Sequence, residues 1–92
     1  MKNNAKVIKT DGNQYEILPA NGKVFKLAEL QKIVGGYIEI LFLDNNMCMV
    51  LNEEGKLNNL PFNQTASSIA KDNGICDYIV GDVLMCQSKM IN

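Results

Sequence analysis

The 92-residue sequence contains no histidine, no arginine and no tryptophan, and only two prolines. Each absence removes a class of chemistry. Without histidine there is no imidazole general base, no Ser–His or Cys–His pair, and none of the usual zinc sites. Without arginine there is no bidentate phosphate clamp and no arginine finger. Carboxylates and lysines remain, which is a narrow basis for catalysis, so the chain reads as a binding protein before an enzyme. Neither a metal nor a cofactor is expected.

All nine basic residues are lysines, set against ten acidic residues for a net charge of −1. Phosphate-backbone binding depends on a clustered positive patch, so nucleic acid is not an expected partner. No apolar run approaches the ~18 residues of a membrane span. The opening MKNNAKVIKTDG has no apolar signal-peptide core, so the expectation is a cytoplasmic protein with no membrane partner. Three cysteines, Cys48, Cys76 and Cys86, leave an odd count and form no CxxC pair. Cys48 and Cys86 lie in apolar runs and read as buried, reduced thiols.

What is present fits one small globular domain over 1–92. Hydrophobic residues make up 47% and charged residues 21%, which argues against disorder. A domain this short buries only about 60 to 65% of its unfolded surface, so association would help to stabilise it. AKVIKT (5–10) and QYEILP (14–19) read as two strands joined by a DGN turn. KVFKL (23–27) leads into LAELQKIV (27–34), where Leu27, Leu30, Ile33 and Val34 make one helical stripe. Gly35 stands where helices end in a left-handed residue. With Gly36 it forms a corner into the strand YIEILFLD (37–44).

Asp44, Asn45 and Asn46 then turn the chain into MCMVLN (47–52). Both faces of this hairpin are largely apolar, which a half-solvated sheet would not be. The second face must therefore be covered, by the second helix or by another copy of the protein. EEGK (53–56) reads as a turn with Gly55 at positive φ. Asn63 reads as the N-cap of a helix over 64–73, with an apolar stripe of Ala66, Ile69 and Ala70. CDYIVGDVLMC (76–86) reads as an extended run broken at Gly81–Asp82, and QSKMIN (87–92) as a loose tail. The sum is an α+β fold: a small antiparallel sheet of about five strands with two short helices.

Three groups could carry chemistry, and each has a structural explanation beside it. Glu39 sits mid-strand on an apolar face, where a carboxylate must be paired, protonated or solvent-reaching. It is either a rim position with a lysine partner or a group that orients a ligand. NEEGK projects Asn52, Glu53, Glu54 and Lys56 from a turn held by a hairpin. Such turns often carry function, although most are simply solvated. Asn58, Asn59, Asn63, Gln64 and Thr65 could read the hydrogen-bonding edge of a small molecule, or solvate a loop and cap a helix. Asp82 is a turn former or a site residue.

The order and spacing of LAELQKIVGGYIEI, NEEGK, LPFNQTAS and IVGDVL resemble a family of small proteins from phages, mobile elements and gram-positive bacteria. That family is domain-of-unknown-function family 3846. The resemblance covers roughly residues 24 to 86 and is most specific in Q-x-x-V-G-G-x-I-E. It implies that Gln31, Gly35, Gly36, Glu39, Asn52, Glu53, Gly55, Asn63, Ala66, Gly81 and Asp82 occupy family-motif positions, and it implies no reaction.

The expectation is therefore a non-enzymatic binding protein of phage or mobile-element type, forming a homo-oligomer. A counter-defence role, sequestering a nucleotide-derived small-molecule signal, is its sharpest form. The ligand-binding candidates are Gly36, Glu39, Asn52, Glu53, Lys56, Asn63, Thr65 and Asp82. Glu39, Asn52, Asn63 and Thr65 are expected to share a pocket with a lysine nearby. The competing expectation is a module that docks on a host protein through an apolar patch on the Tyr37–Leu41–Leu43 face. A carboxylate-based enzyme ranks last.

Overall fold

In the computed structural model, which describes residues 5–91, five antiparallel strands form one sheet in the order β2-β1-β5-β4-β3. The strands are β1 (Lys6–Ile8), β2 (Gln14–Glu16), β3 (Ile38–Phe42), β4 (Met47–Asn52) and β5 (Val83–Gln87). Helices α1 (Leu27–Val34) and α2 (Gln64–Asp72) complete the α+β fold.

Strand alternation sorts the side chains into two cores. Val7 faces Leu84 across the β1–β5 pair, Leu84 faces Val50, and Val50 faces Ile40. This row packs with Phe25, Leu30 and Val34 from α1 and the segment before it. The alternate residues Met49, Leu51 and Ile8 turn to the other side, where they meet Ala66 and Ala70 of α2. The second face of the β3–β4 hairpin is thus covered by α2. Alanines let the helix sit close to the sheet, and both are fully buried.

Local chemistry sets the element ends. Gly35 adopts φ +83°, and its N–H and that of Gly36 both donate to the Gln31 carbonyl, closing α1. Asn45 and Asn46 both have φ +61°, the left-handed centre of the turn that Met47 N–H closes by donating to the Asp44 carbonyl. Glu29 accepts from the N–H of Lys26 and of Ala20, both at 2.8 Å, which holds its carboxyl below the usual carboxylate range.

Three expectations need correction. Residues 76–82 are not a strand beyond a single bridge between Val80 and Phe62. Their backbone is spent on the start of α2: Asn63 N–H donates to the Ile79 carbonyl and Ile79 N–H to Ser67 Oγ. The segment after β5 is docked rather than loose. Met90 is buried in the α1-side core and its carbonyl accepts from Phe25 N–H at 2.7 Å; Asn92 lies outside the described residues. Gly55 is needed for space, not for positive φ, because a Cβ there would stand 2.8 Å from Val80 Cγ2. Asn59 takes the left-handed conformation instead.

Asn63 is the most heavily committed side chain of the fold. It is fully buried, its Oδ1 accepts from Ala66 N–H, and its Nδ2 donates to the carbonyls of Ile8 and Gly81. Asn63→Ala removes a helix cap and two buried partners, and should cost about 2–4 kcal/mol. Urea unfolding checks this; a loss below about 1 kcal/mol would contradict the assignment.

Candidate functional site

The turn after β4 is built around Asn52. The side chain is buried, its Nδ2 donates to the Val34 carbonyl at 3.2 Å, and its Oδ1 accepts from Glu54 N–H at 2.8 Å. It therefore ties the open end of α1 to the turn. Gly36 is small for the same reason: a Cβ there would stand 3.0 Å from Asn52 Nδ2. The corner between α1 and β3 and the turn after β4 are thus one packed unit, and a cavity flanks it on each side.

The first is an open cleft of about 470 Å³ between the end of α1 and the turn. Gln31, Lys32, Gly36, Tyr37, Asn52 and Asn58 line it. Tyr37 is exposed, and among the described residues Lys32 has no carboxylate within ion-pairing distance. Among the described residues, neither the Gln31 nor the Asn58 side chain is committed to a hydrogen bond there. The volume falls within the range of small-molecule sites. An aromatic face, two amides and a lysine supply stacking, edge recognition and one positive charge.

The second is a narrow hollow of about 110 Å³ on the α2 side. Leu51, Ile79 and Val80 contribute its apolar wall, and Glu39, Glu53, Lys56, Asp77 and Tyr78 its rim. Lys56 Nζ lies 2.6 Å from Asp77 Oδ1 and 4.1 Å from the centre of the Tyr78 ring. That hydrogen bond, with a lesser one from Tyr78 N–H, holds the Asp77 carboxyl below the usual Asp range. The lysine is thereby engaged, while Glu39 and Glu53 remain exposed and unpaired among the described residues. The rim is acidic and the space too small for a nucleotide. Among the described residues, no group of three or more acidic or thiol side chains is placed to hold a metal ion.

The eight candidates are therefore divided. Glu39, Asn52, Glu53 and Lys56 meet at the acidic hollow, and Gly36 and Asn52 at the open cleft. Asn63 and Thr65 join neither. Asn63 is consumed inside the fold, and Thr65 lies half-buried on α2. Asp82 is turned to the β1 side, where it accepts from Lys9 Nζ at 3.2 Å and from Thr10 N–H at 3.0 Å. The expected apolar patch is also displaced: Leu41 and Leu43 pack against the α2-side core, leaving Tyr37 exposed. Asp77 and Tyr78 were not distinguishable in the sequence, because their partner Lys56 is 21 residues away. Cys48 and Cys86 are buried free thiols with sulfurs 3.9 Å apart, and the hydrogen bond with Cys48, then burial, push the Cys86 thiol up.

Comparison with known proteins adds a family and little else. The family model described as "Domain of unknown function (DUF3846)" matches residues 3–90, beyond both ends of the motif-bearing region. No curated protein and no solved structure matches the chain. No helix among the described residues is long and apolar enough to cross a membrane.

The Lys56–Asp77 pair gives a direct check on the hollow. In a side-chain carboxyl NMR titration, Asp77 should titrate below an ordinary Asp, and Lys56→Met should return it towards the ordinary value. An Asp77 midpoint unmoved by that substitution would mean that the pair does not form in solution. Both side chains are solvent-exposed, so global stability should change little.

Proposed function

The chain belongs to the DUF3846 family, whose function is unknown, and with no activity to inherit we propose that it is a non-enzymatic binder of a small nucleoside-derived molecule. The observation that carries this reading is the cleft beside α1. It combines the exposed Tyr37 ring, the Gln31 and Asn58 amides and the Lys32 ammonium in about 470 Å³. A base stacked on Tyr37 would present its edge to the amides, and Lys32 would meet one anionic group.

The same cleft limits the charge of its ligand. It lies at the carbonyl end of α1, where the helix dipole is negative, and Glu54 borders it. A polyphosphate would be repelled; a nucleoside or a singly charged derivative suits the site. Sequestration of a nucleotide-derived immune signal in the cytoplasm, the role that the family resemblance suggests, requires only such a cleft and no reaction. A second reading, docking on a host protein, is favoured by the exposed rings of Phe62 and Tyr78, whose centres stand 6.4 Å apart, with Tyr78 on the rim of the acidic hollow.

Isothermal titration against nucleosides, nucleoside monophosphates and cyclic nucleotides tests the ligand reading. At least one should bind, and Tyr37→Ala should weaken it about tenfold or more, as the loss of a stacking platform does. Tyr37 is exposed, so the variant should keep the wild-type circular dichroism. Absence of binding by the whole panel, or an unchanged affinity in Tyr37→Ala, would overturn the reading.

A further inference from the structure

We propose that the free edge of β3 is the seam of a homodimer, in which two copies pair their β3 strands antiparallel about Ile40. In the β3–β4 register, Leu43 N–H donates to the Met47 carbonyl and Glu53 N–H to the Tyr37 carbonyl. Antiparallel bonding alternates, so Tyr37, Glu39, Leu41 and Leu43 turn their backbone groups towards β4. Ile38, Ile40 and Phe42 turn theirs outward. β3 ends the sheet, so this outward row of N–H and C=O groups has no partner among the described residues.

Natural edges of this length are usually blunted by lysine, proline or a bulge. IEILF (38–42) has no lysine, proline or bulge and pairs with β4 in unbroken register; its one charged residue, Glu39, turns its backbone towards β4 and not outward. The opposite edge, β2, is only three residues long, which itself blunts an edge. One edge is thus too short to recruit a strand and the other is long enough.

The occupant is a second copy because the row is self-complementary in only one good register. With Ile40 opposite Ile40 of the second copy, Ile38 bonds to Phe42 at both ends, giving three hydrogen-bonded pairs. Glu39 then faces Leu41 of the second copy. Sliding by one step in one direction sets Glu39 against its own copy, and like charges directly opposite are destabilising. Sliding the other way leaves only two of the three pairs. In the favoured register Phe42, 72% exposed in the single chain, sits beside Ile38 of the second copy on the α1 side. The two sheets of five strands become one, both helix layers continue across the axis, and the acidic hollows adjoin through Glu39 and Leu41. The seam does not depend on the ligand reading and can fail without it.

Sedimentation velocity of the full chain over a concentration series tests the seam. The wild type should sediment as a dimer, or as a larger species built from dimers. Phe42→Lys should halve that mass while retaining the wild-type circular dichroism. A wild type that stays monomeric at every concentration, or an assembly that Phe42→Lys leaves intact, would overturn the proposal. A second variant reads the register even if Phe42→Lys fails to fold. On a Cys76→Ser background, Glu39→Cys with Leu41→Cys places two thiols opposite each other in a non-hydrogen-bonded pair, at a spacing a disulfide can bridge. Mild diamide oxidation should convert most of the chain to a covalent dimer on a non-reducing gel. Persistence of the monomer band would refute the seam.

Discussion

The amide of Asn63 is the interaction on which the rest of the structure depends. Two N–H groups and one oxygen on a short stem reach three segments at once: the end of β1, the turn before β5, and the first turn of α2. Aspartate could cap the helix but could donate to neither carbonyl. β5 is the central strand, paired with both β1 and β4, so the amide fixes the strand that joins the two halves of the sheet. It also seats α2 on the second face. Without that helix, Met49, Leu51 and Ile8 would face water.

Asn52 does the same work at the same end of the sheet but on the other face. Its bonds to the Val34 carbonyl and the Glu54 N–H draw the turn after β4 against the glycine corner. The two cavities flank that packed unit. A general distinction follows for asparagine-rich loops. A buried amide must satisfy its hydrogen bonds inside the protein, so Asn52 and Asn63 are already spent. The amides available to a ligand are those left at the surface, Gln31 and Asn58. Asn52 and Asn63 resemble recognition residues in the sequence because the chemistry that reads a base is the chemistry that holds a turn.

What the sequence discloses is what local chemistry determines. The apolar period marks α1, Gly35 and Asn63 mark helix ends, and Asp44–Asn45–Asn46 marks a hairpin, because each signal spans a few residues. The family resemblance, carried by the glycine corner and the turn after β4, extends over nearly the whole chain. The misreadings are all non-local. CDYIV (76–80) is β-prone by composition, but its backbone groups are claimed by Ser67 and Asn63. The tail is anchored by Met90 against Phe25, far away in sequence. Gly55 looks like a turn glycine until Val80 is placed beside it. At the site, the polar cluster around 52–65 is divided by burial, and no spacing in the sequence encodes burial. Tyr37 reads only as one more residue on a strand face until the end of α1 places a cleft beside it.

Size explains why exposed apolar groups are not themselves a sign of function. A short domain leaves much of its surface uncovered, and scattered exposed side chains such as Leu18 and Leu27 need no partner. Backbone separates Phe42 from them. A side chain in water loses only the chance of burial, whereas an ordered strand edge holds donors and acceptors aligned for a particular geometry of partner. Phe42 stands on such a row, and Leu57, on a polar turn, does not. Tyr37 immediately precedes the same strand and lines the ligand cleft, and its carbonyl accepts from the N–H of Glu53, the first residue of the turn after β4. The cleft and the seam are therefore built from one continuous stretch of backbone, held in place by the Asn52 amide.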